Sequence, residues 1–165
     1  HKKVAAVGGY AEKRVVYRSN PEHFGSGEDE RCIHLGVDIW MPAQTTIHAP
    51  LDATVHSVAE NAGRANYGTT IILQHELGVI EFYSLYGHLT RASLKKLVPG
   101  KHISKGEPFA AIGAPKENGN WPPHVHYQFI ADVMNKRGDF IGVSTEKDAP
   151  FYLSLCPEPV VLAHS

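Results

Sequence analysis

Short runs of apolar residues, or of alternating apolar and polar residues, follow one another from Cys32 to residue 130. Pro, Gly, Asn and Asp separate these runs, as is typical of turns between strands. The pattern predicts strands at residues 35–40, 46–49, 53–59, 69–74, 80–86, 109–112 and 126–130. Many short strands with little helical periodicity predict a mainly β domain, arranged as a sandwich or a barrel.

The segments on either side of this pattern are less regular. Residues 1–30 are predicted to be an irregular lead-in with short strands at 4–7 and 14–17, before the β domain at 31–131. Residues 132–165 are predicted to close the domain and to form a junction to a following domain, with a last strand or helical turn at 151–155. Residues 90–97 have helical spacing and end before the stop signal Pro99-Gly100.

The length and charge narrow the class of protein. A chain of 165 residues suits one domain, and it begins at His1 without an initiator Met, so we expect a piece of a longer protein. The net charge of −1 gives no reason to expect nucleic acid or an anionic membrane as a partner. Cys32 and Cys156 do not form a CxxC pair, and two free thiols are favoured over a disulfide. Free thiols weakly favour a reducing compartment.

Histidine, with 11 copies, is the residue type that suggests chemistry, because imidazole is the commonest metal ligand. His34 and Asp38 are four residues apart in a segment that predicts a strand. A straight strand would separate them by about 13 Å, so a shared metal requires a bend, and Gly36 is the residue that permits one. Isolated histidines such as His48, His56, His75 and His102 are interpreted as structural or surface residues.

A second signal is the His124-Val125-His126 sequence after Pro122-Pro123. In a strand, residues i and i+2 point to the same face, so this spacing presents two imidazoles side by side. His88, in Tyr86-Gly87-His88-Leu89, is a weaker third signal. Two histidines and one carboxylate form a catalytic zinc set whose fourth position is left for water.

Taken in order, these pieces resemble the lysostaphin-type zinc metallopeptidases. The resemblance covers about residues 31–130 and also includes the segments 49–55 and 66–68. It implies antiparallel sheets of the duplicated-hybrid-motif kind, one Zn²⁺ held by His34, Asp38 and His126, and catalytic roles for His88 and His124. The activity implied is hydrolysis of peptide or peptide-like amides. The chain departs from the family pattern at Ala53, where glycine is common, and at Tyr127-Gln128, where Phe-Glu is preferred.

The loop 113–123, which leads into His124, is also longer and richer in proline than in that family. Since loops on a rigid scaffold carry specificity, we predict that Trp121 and Asn120 contact substrate. The alternative for Trp121 is that it covers the edge of the core.

A narrower resemblance concerns segments 112–115, 118–124 and 153–157, which are similar to the middle domain of fusion proteins. Those proteins join a kinase-like domain, a lysostaphin-type domain and a class-III aminotransferase. This context implies a cytoplasmic protein, with pyridoxal phosphate only in a separate domain and flanking domains as partners. The alternative function is then a non-catalytic metal-binding module in a protein acting on an amine metabolite. A removed upstream signal would instead imply the cell envelope or secretion.

Overall fold

The computed structural model describes residues 6–159, and every strand pairing in it is antiparallel. The central sheet has seven strands in the order β1-β3-β10-β7-β6-β5-β8, and two further sheets pair β11 with β2 and β4 with β9. The strands are β1 Ala6–Gly8, β2 Arg31–His34, β3 Val37–Trp40, β4 Thr46–His48, β5 Ala53–Asn61, β6 Gly68–Leu77, β7 Ile80–Leu89, β8 His102–Ile103, β9 Pro108–Ala111, β10 His124–Ile130 and β11 Val143–Thr145. The prediction of a mainly β domain is confirmed.

The middle of the large sheet is buried on both faces. In β6, Ile71 and Leu73 pack into one apolar cluster while Ile72 between them packs into another, as the two-residue period of a strand requires. Tyr86 of β7 lies in the first cluster and Leu85 in the second. Because both faces are buried, the central strands can pair in one register only. This register determines the positions of the residues at the strand ends.

The lead-in differs from its prediction. The predicted strand at 14–17 is wrong, because a 3₁₀ helix, Val15–Ser19, begins there and is followed by the short helix α1, Pro21–Phe24. Val15 and Val16 are both exposed, whereas Tyr17 and Phe24 are buried. Of the strand predicted at 4–7, residues 4 and 5 lie outside the described residues, and β1 covers the rest.

Helical structure is sparse elsewhere. Residues predicted as helical at 90–97 form a 3₁₀ helix, Arg91–Lys96, and the segment at 151–155 belongs to the helix α2, Ala149–Leu155. Both cysteines are free, as predicted, and the structure shows that both are buried. No helix among residues 6–159 has the length and apolar character needed to cross a membrane.

Candidate metal centre and cleft

Strand register brings the predicted ligands together. β3 lies beside β10, with Asp38 directly opposite His126. β2 ends at His34, and Leu35 and Gly36 separate it from β3. The two strands belong to different sheets. A Cβ on Gly36 would lie 2.8 Å from His126 Nε2, which explains why glycine is needed at this bend. The predicted bend between His34 and Asp38 is confirmed.

The donor atoms of these three residues form a small, buried triangle. His34 Nε2 lies 2.9 Å from His126 Nδ1 and 3.3 Å from Asp38 Oδ1, and His126 Nδ1 lies 3.2 Å from Asp38 Oδ1. A tetrahedral zinc ion with ligands at about 2.0–2.1 Å places neighbouring donors about 3.3 Å apart. Among the described residues, this is the one group of three His, Cys, Asp or Glu donors close enough to share a metal.

In each of the two histidines, the ring nitrogen outside the triangle forms a hydrogen bond. This bond determines the tautomer, and therefore whether the nitrogen inside the triangle carries a lone pair. His34 Nδ1 donates to the Gly9 carbonyl at 3.0 Å, so Nε2 is left as the acceptor. His126 Nε2 donates to Gln128 Oε1 at 2.8 Å, so Nδ1 is left as the acceptor. Two nitrogen lone pairs and a carboxylate oxygen therefore converge, and a cation removes their mutual repulsion. The residues fit a zinc ion.

Gln128 is itself held in one orientation. Its side chain is fully buried, and its Nε2 donates to the Ile141 carbonyl at 3.0 Å and to Cys156 Sγ at 3.2 Å. The amide oxygen is thus directed to His126. Burial raises the pKa of Cys156 to about 11, so this group stays a neutral thiol near pH 7. Sequence reasoning noted the departure at Gln128 but not this role.

Arg14 of the lead-in completes the surroundings of Asp38. Its Nη1 donates to Asp38 Oδ2 at 2.5 Å, which leaves Oδ1 for the triangle. Burial opposes ionisation of Asp38, but the ion pair with the Arg14 guanidinium favours the charged carboxylate. The carboxylate is therefore charged near neutral pH. Arg14 is 24 residues from its partner, and no local pattern in the sequence indicated this contact.

His88 and His124 form a second pair of imidazoles beside the triangle. Their ring centroids are 4.3 Å apart, and His124 Nε2 lies 3.9 Å from Asp38 Oδ1. His88 Nδ1 donates to the Asn118 carbonyl at 2.9 Å and His124 Nδ1 donates to the Pro122 carbonyl at 2.6 Å. Each ring is thus oriented by a backbone carbonyl and has its Nε2 lone pair free to accept a proton.

The backbone and burial at these two histidines are unusual. His88 has φ of +63°, a conformation that non-glycine residues seldom adopt and that is often found at functional sites. An irregular register between β6 and β7, near Thr69, accompanies it. Burial lowers the pKa of His88 well below the usual range and lowers that of His124, so both are neutral at pH 7.

The two predicted substrate residues lie in different places. Trp121 is half-buried and lines a cavity of about 280 Å³ that contains the triangle and both neutral histidines. Asn120 is exposed and lines a separate polar depression near Arg91 and Glu117. The cavity position supports the prediction for Trp121, whereas the structure does not bring Asn120 into the cleft.

Of the other histidines among residues 6–159, His23 lines the cavity, whereas His48, His56, His75 and His102 do not. His75 is buried, with Nδ1 2.9 Å from the Asp52 carbonyl oxygen and Nε2 2.6 Å from Ser84 Oγ. His48 and His102 are exposed. A Ser-His contact alone does not make a catalytic site, because Ser84 is fully buried.

Fold and site together define a metallopeptidase-like β domain, and comparison with known sequences agrees. The model of peptidase family M23 matches residues 32–143, more than half of the chain, and the chain therefore belongs to this family. An uncharacterized metalloprotease from Haemophilus influenzae is 35% identical over 96 residues, which are 58% of this chain and 18% of that protein. The chain thus spans less than a fifth of the length of this relative.

Solved structures show the same fold. The catalytic domain of lysostaphin from Staphylococcus simulans aligns over 91% of this chain and 92% of its own, with a TM-score of 0.58 and 18% identity. A zinc-containing peptidase from Vibrio cholerae aligns over 75% of this chain and 32% of its own, with a TM-score of 0.52 and 19% identity. The antiparallel, lysostaphin-like architecture expected from the sequence is confirmed.

The hydrogen bond from His126 to Gln128 leads to a testable expectation. Gln128→Leu removes the acceptor that directs the His126 lone pair to the triangle, and we expect zinc affinity to fall by about 10- to 100-fold. Competition with a chromophoric chelator measures this change. Gln74→Leu is the matched control, because Gln74 pairs with Glu81 on the exposed side of β6. Equal zinc affinity in folded Gln128→Leu and the unaltered protein would contradict the assigned role.

Proposed function

We propose that this chain is a zinc-dependent metallopeptidase domain that hydrolyses amide bonds of peptides or peptide-like substrates. His34, Asp38 and His126 would hold one zinc ion through the donor triangle. The observation that carries the proposal is the convergence of these three lone pairs beside two neutral imidazoles. Family membership supports the same reaction class.

The bound ion would polarise the scissile carbonyl and lower the pKa of a bound water to about 7. The other steps belong to the chain. His88 and His124 are neutral and have free Nε2 lone pairs, so one can remove a proton from water, and this same proton can then pass, directly or through the other imidazole, to the leaving nitrogen. Asp38 is the one carboxylate among the described residues lining the cleft, which supports histidine rather than glutamate as the base.

The supports that orient these side chains are backbone carbonyls and buried groups. The carbonyls of Asn118 and Pro122 hold the two histidines, and Arg14 holds Asp38. Such rigid supports reduce the reorganisation required during reaction. Trp121 would form one wall of the substrate groove. The fusion with an aminotransferase and the cytoplasmic location remain predictions from resemblance.

Hydrolysis is tested with metal-stripped protein that is reloaded with Zn²⁺ or Mg²⁺ and incubated with a peptide panel containing glycine-rich, D-amino-acid and aromatic members. In ¹⁸O-labelled water, we expect cleavage products with one ¹⁸O in the new carboxylate, from the zinc-loaded protein alone. A chelator should abolish cleavage, and added zinc should restore it. Stoichiometric zinc binding without cleavage of any amide would instead favour a non-catalytic metal-binding module.

A further inference from the structure

Part of the cavity lining is aromatic and apolar and contains none of the candidate metal ligands. Tyr17, Phe24, Ala65 and Val143 form a small buried cluster against which Trp121 packs, and all five line the cavity. The Tyr17 and Phe24 ring centroids are 4.4 Å apart, and Trp121 meets Tyr17 edge-on at 6.4 Å. We call this set the aromatic wall.

The aromatic wall is separate from the clusters that hold the sheet together. None of its four buried members belongs to the two larger clusters around β6 and β7. Its residues come from the lead-in, from the loops before β6 and β10, and from β11, so only the tertiary fold assembles it. Replacing water beside an apolar cavity wall by an apolar group lowers the free energy, so such a wall favours binding of apolar groups.

Charge at the cavity restricts what kind of group can enter. Two guanidinium groups, Arg14 and Arg31, line it against one carboxylate, Asp38. The Arg31 guanidinium lies 5.4 Å from the Phe24 ring centroid, at the aromatic wall itself. Like charges placed close together oppose binding, so an ammonium or guanidinium side chain is excluded.

We propose that this cavity is a subsite for an uncharged aromatic or large aliphatic side chain adjacent to the amide that reacts at the metal. Its volume of about 280 Å³ is close to the lower end of small-molecule sites, which begin at about 300 Å³, and suits a single large side chain with its flanking amide. The position relative to the scissile bond rests on the proposed hydrolysis. Binding of the side chain itself does not.

Hydroxamates test the subsite without requiring catalysis, because they bind a zinc ion and place their substituent beside it. Titration calorimetry with zinc-loaded protein would compare acetohydroxamate, 3-phenylpropanohydroxamate and 6-aminohexanohydroxamate. We expect the phenyl compound to bind about 10- to 100-fold more tightly than acetohydroxamate, because burial of an aromatic side chain increases affinity by about this factor. The amino compound should bind no better than acetohydroxamate. Equal affinities for the phenyl compound and acetohydroxamate, or a preference for the amino compound, would overturn the proposal.

Variants of Trp121 test whether the preference for the phenyl compound depends on the aromatic wall. Trp121→Ala should reduce the affinity ratio of the phenyl compound to acetohydroxamate by about three- to tenfold, while Trp121→Phe should restore most of this ratio. Phe151→Ala is the control, because Phe151 is an exposed aromatic residue on α2 that does not line the cavity. An unchanged affinity ratio in Trp121→Ala would exclude Trp121 from the wall.

A metal-free probe separates this proposal from the proposed function. N-acetyl-phenylalanine amide should shift the indole N–H resonance of Trp121 in stripped protein, and N-acetyl-glycine amide should not. This shift, together with the hydroxamate ranking, would support the subsite even if no peptide is cleaved. Cleavage of glycine-only peptides without the shift or the ranking would overturn the subsite and leave hydrolysis intact.

Discussion

Asp38→Asn is expected to weaken zinc binding by more than about 100-fold, because loss of a direct ligand should cost more than the 10- to 100-fold loss typical of outer-shell changes. The replacement keeps the shape of the side chain but removes the charge that attracts the ion. Zinc content after equilibrium dialysis and competition with a chromophoric chelator measure the effect. His102→Ala is the control, since it removes an exposed imidazole outside the cleft.

Loss of the Asp38 charge also leaves Arg14 with the exposed Glu12 as its remaining ionic partner, and we expect this loss of a buried partner to destabilise the fold. Thermal unfolding of the metal-free protein separates this effect from ligand loss. The double replacement Arg14→Leu with Asp38→Leu removes both charges and should recover part of the lost stability without recovering zinc affinity. Tight zinc binding by the folded double variant would exclude Asp38 as a ligand.

His124→Ala is expected to lower kcat by about 10²- to 10⁴-fold while zinc binding changes little, because the proposed mechanism uses His124 for proton transfer and it is not one of the three clustered donors. His88→Ala should have an effect of similar size. Single-turnover assays on a cleaved peptide, with zinc content measured in parallel, test this expectation. His56→Ala, which changes a histidine beside Tyr83 far along the sheet, serves as the control.

The double variant His88→Ala with His124→Ala distinguishes a coupled pair from independent groups. If the two imidazoles act in one proton transfer sequence, the double variant should be little slower than the slower single variant. Multiplicative losses would indicate separate roles. Unchanged kcat in both zinc-loaded single variants would remove the histidine pair from the proposed mechanism.

The sequence alone predicted most of the strands and the short-range spacings of the candidate site residues. Alternating apolar residues predicted most of the strands, since burial of one face imposes a period of two. His34, Gly36 and Asp38 predicted a bent ligand pair, and His124 with His126 predicted two imidazoles on one face. These features depend on residues within four positions of each other, where backbone geometry alone relates the side chains.

The same local reasoning was wrong at 14–17, where a short strand was predicted. Apolar residues in the sequence do not always become buried: Val15 and Val16 are exposed, and the 3₁₀ helix that contains them buries Tyr17. The lead-in consequently brings Arg14 to Asp38 and the Gly9 carbonyl to His34.

The tertiary structure alone decided which groups support the site. His34 and His126 are separated by 92 residues, and their contact depends on β3 lying beside β10. Gln128 reaches both Ile141 and Cys156 only because α2 packs against the sheet face that holds Ile72 and Leu85. Hydrogen-bond partners of this kind are chosen by the packing of whole strands and helices. Residue spacing cannot specify them, since any buried donor or acceptor at the right place in space would serve.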